Sequence, residues 1–150
     1  MNGRILIAEA GGERIALSLM QVAEVRELTT SFPLPLAPPF LGRAINANGR
    51  LMPVLDTGLF LGRGASSQPG RVLVMSGNEV NLALQVDRVI DIVRGDTVAE
   101  AQSLAEEPFV ALLILPCGKV PLLSPGQLLK MLERSLAGSG GEKGHENPAG

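Results

Sequence analysis

The chain has 150 residues, 45% of them hydrophobic, with 13 Lys and Arg against 15 Asp and Glu. That is one domain's length, enough to bury about 68–70% of its unfolded surface. The net charge of −2, the lack of a basic cluster and the absence of Trp and Tyr argue against nucleic acid, which calls for a positive footprint and stacking aromatics. A single cysteine, Cys117, excludes an internal disulfide and a cysteine-rich metal site. The longest apolar run, Phe109 to Leu115, falls well short of the roughly 20 residues that span a bilayer. With no signal-peptide pattern at the start, the expectation is a cytoplasmic chain without membrane insertion.

In chain order, Arg4 to Ala10 and Arg14 to Leu19 read as a hairpin about Gly11-Gly12. Val22 and Val25 are three apart, which predicts one helical turn over 20–25. Residues 31–39 hold four prolines and predict an ordered, non-regular connector. Ala44 to Asn46 and Leu51 to Leu55 form a second hairpin through Asn48-Gly49, since Asn and Gly tolerate positive φ; Pro53 marks an edge or bulge. Asp56 caps a helical turn carrying Leu59, Phe60 and Leu61. Residues 62–70 form the clearest internal loop.

Further on, Arg71 to Met75 is a buried-type strand, Ser76-Gly77-Asn78 a turn, and Val80, Leu82, Leu84 and Val86 alternate as in a half-buried strand. Val89 to Val93 is another strand, and 95–107 is polar and loop-like. Phe109 to Leu115 and Lys119 to Leu123 make a third hairpin. Ser124-Pro125 is a helix start, followed by an apolar face of Leu128, Leu129, Leu132 and Leu136. The Gly-rich remainder, 137–150, is expected to be a flexible tail.

These elements repeat. Ile15-Ala16-Leu17, Val22 and Glu24 recur as Leu82-Ala83-Leu84, Val89 and Asp91, and Ile45, Gly49 and Asp56 recur as Ile114, Gly118 and Ser124. One order with nearly constant spacing indicates two similar units related by a pseudo-twofold. The expected fold is therefore all-β: two small barrels, about 13–62 and 71–130, joined through a shared apolar interface.

Candidate chemistry is sparse. Val54-Leu55-Asp56-Thr57-Gly58 matches the aspartic-protease triplet, in which two carboxylates share a proton. Asp56 has Ser124 as its repeat mate, so only a homodimer could supply the second carboxylate; the alternative is a helix cap. His145, the one histidine, lies in the tail, which removes histidine-based triads. Cys117 sits in a turn without a neighbouring base and reads as structural. Asp87 and Asp91 read as a solvated pair, and no metal or cofactor motif is present.

Taken together, Ile15-x-Leu17, Val22-x-Glu24-Val25, Gly42-x-x-Ile45-Asn46-x-x-Gly49-x-x-x-Pro53-Val54-x-Asp56, Ala83-Leu84-x-Val86-Asp87-x-Val89 and the helix around Leu128-Leu129 resemble the CheW-like domain over about residues 3–136. The resemblance implies two five-stranded SH3-like barrels, with the N-terminal strand and the C-terminal helix packing across them in a domain of residues 1–136. It also implies a non-catalytic adaptor, without cofactors, that joins methyl-accepting chemotaxis-type receptors to the regulatory domain of a CheA-type histidine kinase. Partner-facing roles fall on Val22, Glu24, Gly42, Asn48 and Gly49 in the first barrel and on Val89 and Ile92 in the second, where a receptor helix would lie in a groove. Two departures stand out. Asn48 and Gly58 occupy positions where the family commonly has Arg, and an Arg fork is not replaced by Asn. A divergent array, such as one controlling pilus motility, is the context these departures suggest.

Overall fold

The computed structural model describes residues 2–65, 70–77 and 80–149, with side chains in the closing helix described as far as Gly138. Among the described residues there are twelve strands: β1 Arg4–Ala10, β2 Glu13–Ser18, β3 Val22–Glu27, β4 Phe32–Pro33, β5 Arg43–Ala47, β6 Arg50–Asp56, β7 Arg71–Met75, β8 Ala83–Val86, β9 Arg88–Arg94, β10 Glu100–Glu106, β11 Phe109–Leu115 and β12 Gly118–Leu123. A short helix α1 (Thr57–Phe60) follows β6, and α2 (Pro125–Ala149) follows β12. The two helices start alike. The Asp56 carboxylate accepts from the Leu59 N–H at 3.2 Å, and the Ser124 hydroxyl accepts from the Gln127 N–H at 3.3 Å, each satisfying an amide that the first turn leaves free.

The strands form two sheets, ordered β9-β1-β2-β12-β11-β10 and β3-β7-β8-β6-β5-β4. Replacing every strand of one sheet by its repeat mate gives the order of the other, so the sheets are pseudo-equivalent. Even the irregularities match. Ala23 is skipped where β3 pairs with β7, and Ile90, at the same point of the repeat, is skipped where β9 pairs with β1. The one parallel contact in each sheet also recurs, as Val54↔Ala83 and Leu122↔Ala16.

The sheets do not follow the contiguous halves 13–62 and 71–130. Each is built from a hairpin of one half (β1-β2 or β7-β8) and four strands of the other. That exchange gives six strands per sheet where five were expected. Each sheet curls around its own interior: Ile45, Met52, Val54, Val72 and Val74 in one; Ile5, Ile7, Leu113, Leu115 and Val120 in the other. The backs of the exchanged hairpins meet in a third cluster. Leu6, Leu17, Leu73 and Leu84 pack there with Leu55 and with Leu128 and Leu132 of α2, the shared interface that the repeat predicts.

Several local expectations change. The helical turn lies at Leu19–Gln21, and Val22 and Val25 are already on β3. Ala83, expected on an exposed face, is fully buried, because β8 has a different apolar cluster on each side. Pro53 lies inside β6, opposite Ala44, just before pairing with β8 begins at Val54, where a missing N–H costs least. The polar segment 95–107 contains β10, an edge strand with only Leu104 half-buried. With almost no buried face it carries no alternation to read, and pairing with β11 makes it a strand. Leu136 ends more than a third exposed. The expected loop at 62–70 and turn at 76–78 lie partly outside the described residues, and the expected tail is not irregular: α2 continues through it to Ala149, His145 included.

Candidate functional site

The first-barrel residues assemble around Arg26. On β3, Glu24 is opposite Val74 and Arg26 opposite Val72. Facing residues of a ladder share a side, so both charged side chains lean over the end of that barrel's interior. The Arg26 guanidinium pairs with the Glu24 carboxylate at 2.6 Å and donates to the Asn46 carbonyl on β5 at 2.9 Å. The Asn46 side chain in turn accepts from the Gly49 N–H at 3.1 Å. Asn48 and Gly49 take φ of 55° and 76°, the left-handed pair a two-residue hairpin turn requires. Glu24 and the Asn48-Gly49 tip are therefore joined by Arg26 and Asn46, which the sequence reading did not place in the site.

Gly42 is not part of this group. It follows the helical turn Pro39–Leu41 and precedes β5, at the opposite end of that strand from the hairpin tip. Val22 and Val89 are half-buried and packed on the shared core, so each has a structural role as well as an accessible edge. Ile92 on β9 is 45% exposed, and Val25, at the same repeat position on β3, is 41% exposed. Val25 was missed, although its being the repeat mate of Ile92 could have found it. Beside the start of β3, Met20 is 83% exposed, and a cleft of about 560 Å³ is lined by Gln21, Met75, Val80, Ser124 and Pro125.

Of the remaining candidates, Asp56 and Asp87 have structural roles, whereas Cys117, expected to be structural, is exposed. Asp56 is the α1 cap, while Thr57 is fully buried and Gly58 lies against the backbone of Gly11 and Gly64. The triplet is thus packed beneath a turn. Asp87 is not a solvated partner of Asp91: its Oδ2 accepts from the Gly12 N–H at 2.9 Å and fastens the β1-β2 turn. Cys117 is free and exposed. Among the described residues no group of three His, Cys, Asp or Glu could hold a metal ion, and no helix is long and apolar enough to cross a membrane.

A cap that is only a cap makes a specific prediction. Asp56→Asn should change stability by no more than a few tenths of a kcal/mol, because Asn caps about as well as Asp, and Asp56→Ala should cost about 1 kcal/mol. Urea denaturation of the three proteins checks this. Peptidase activity that disappears in Asp56→Asn would instead assign the carboxylate to catalysis.

The geometry so far is that of two pseudo-equivalent SH3-like β units back to back on an apolar core, with β3 and β9 at sheet edges. The family model of the CheW-like domain matches residues 4–133, and the chain belongs to that family. It is 33% identical over 94 residues to a chemotaxis protein CheW of Rhizobium meliloti (strain 1021), an alignment covering 61% of each chain. Its fold is similar to the crystal structure of the scaffolding protein TtCheW from Thermoanaerobacter tengcongensis. That likeness has a TM-score of 0.71 at 17% identity and covers 83% of this chain and 85% of the other.

Proposed function

We propose that this chain is a non-catalytic adaptor that couples methyl-accepting chemotaxis-type receptors to the regulatory domain of a CheA-type histidine kinase. Family membership supports the adaptor class. The observation that carries the assignment to a surface is the Glu24-Arg26-Asn46 network, which ties an edge strand to the Asn48-Gly49 tip. Edge strands and hairpin tips are where a folded β domain can offer unpaired backbone and side chains to another protein. The exposed Val25 and Ile92 give each barrel an apolar contact on such an edge, suited to a receptor helix. The tip carries Asn in place of the common Arg. This adaptor therefore serves a less acidic partner surface than its relatives do, as in a divergent array such as one governing pilus motility.

The test is calorimetric titration against a kinase regulatory domain and a receptor tip. Glu24→Lys sets two cations side by side and frees Arg26, so binding to the chain's own partner should weaken by about tenfold, equivalent to 1.4 kcal/mol, with the fold retained. Asn48→Arg should strengthen binding to a generic chemotaxis kinase domain by a similar factor, since a charge-assisted hydrogen bond contributes about 1.5–3 kcal/mol. It should also lower stability slightly, because Asn tolerates the positive φ of this turn better than Arg. Unchanged affinities in every pairing would remove this face of the first barrel from the interface.

A further inference from the structure

The two barrels end differently at equivalent places. Over the end of the first, Arg26 lies between the Glu24 carboxylate and the Asn46 carbonyl. In the second, the acid is kept as Asp91, opposite Ile7, but the residue at the register of Arg26 is Val93, opposite Ile5. Leu115 takes the place of Asn46 and Cys117 that of Asn48. Where Arg26 lies over one barrel mouth, the other is an open cleft of about 290 Å³, lined by Arg14, Ile90, Asp91, Val93, Leu115 and Cys117. Among the described residues Arg14 donates only to the Cys117 carbonyl, at 3.5 Å. The Asp91 carboxylate accepts from the Ile92 N–H and forms no ion pair among the described residues.

We infer that this cleft is a docking site for an arginine side chain of a partner protein, which completes in trans what Arg26 completes in cis. The chain itself supplies the template: the equivalent strand with the same bulge and an acid at the same register, and Val93 standing where the first barrel has the Arg26 cation. The walls suit the occupant, because the methylene stem of an arginine packs on apolar side chains while its head remains hydrated or paired, and the fork matches a carboxylate. The volume suits it as well, since a cleft just below the 300–1,000 Å³ range of small-molecule pockets has room for a side chain rather than a cofactor. This inference does not depend on which proteins the first barrel binds.

The experiment is a two-dimensional amide NMR titration of the full chain with Nα-acetyl-arginine amide, Nα-acetyl-leucine amide and free arginine. The capped arginine should shift the amide resonances of 90–93, 115 and 117 saturably, and bind about fivefold more tightly than the capped leucine, the gain expected of one exposed ion pair. Asp91→Asn should erase that preference, and it retains an acceptor for the Ile92 amide. Val93→Arg should abolish the shifts by filling the cleft from within, and Arg14→Gln should enhance them by removing a like charge. Three results would each overturn the inference: leucine amide binding as well as arginine amide, free arginine binding far more tightly than the capped form, or no saturable shift at this mouth. If Val93→Arg does not fold, Asp91→Asn decides alone.

Discussion

Expressed separately, residues 1–65 and residues 70–150 should each remain unfolded, and mixing them should restore the native sheet signal. The strand exchange dictates this. Among the described residues β3 pairs only with β7, and β9 only with β1, so each fragment carries an edge strand whose partner is on the other. The shared core divides the same way, with Leu6, Leu17 and Leu55 on one fragment and Leu73, Leu84, Leu128 and Leu132 on the other. Separation exposes these side chains, each contributing about 1.5–3 kcal/mol by burial. A domain stable by only about 5–15 kcal/mol does not survive the loss of several. The Arg63 guanidinium, 5.1 Å from the Phe109 ring centroid, is a further contact between the fragments. Circular dichroism of each fragment and of the mixture makes the measurement. A cooperative thermal transition in either fragment alone would show that a contiguous half can close its own barrel.

Closure within a half is blocked by short connections. An unexchanged first barrel would set β3 beside β1, parallel to β2, so the chain would run back from the end of β2 to the far end of β1. That is about 20 Å for six residues of strand. The link from Ser18 to Val22 reaches at most about 14 Å. Between β8 and β9 only Asp87 intervenes. With links this short, the hairpin must leave its own half and join the other.

Gly58→Ala should lower stability by about 2–3 kcal/mol, roughly 4–12 °C in Tm for a chain of this size, and Gly58→Arg should abolish folding. A Cβ at position 58 would lie 2.5 Å from the Gly64 carbonyl oxygen, 2.6 Å from the Gly11 nitrogen and 2.8 Å from its Cα. All three are backbone atoms with no rotamer to yield. The Gly11 turn is held in turn by Asp87 through the Gly12 amide, so it cannot move aside. Replacement by the Arg common in the family is therefore closed to this chain, and that departure is a matter of packing. Gly126→Ala is the control. It sits in the first turn of α2 with its nearest neighbour, the Ser124 hydroxyl, at 3.9 Å, and should gain up to about 1 kcal/mol in helix propensity. Chemical denaturation of the three variants compares them, and a Gly58→Ala protein as stable as the parent would mean that the turn is not clamped.

The local grammar of the chain and its duplication are legible in the residues alone. The hairpins at Gly11-Gly12 and Asn48-Gly49 follow from residues that tolerate positive φ, and the helix starts at Asp56 and Ser124 follow from side chains that can cap. The repeat predicted the shared apolar interface and the pairing of Glu24 with Asp91. Tertiary structure alone decided what depends on distant partners. It assigned each hairpin to the opposite sheet, because strand register carries no mark of which neighbour will supply the ladder. It made a strand of 100–106, whose polar side chains have no buried face and whose hydrogen bonds come wholly from β11. It also separated Arg26 from Val93. In sequence these are one cation and one apolar residue at matching positions; only the curl of each sheet, bringing β3 over β5 in one barrel and β9 over the β11-β12 turn in the other, turns that difference into a covered mouth and an open one.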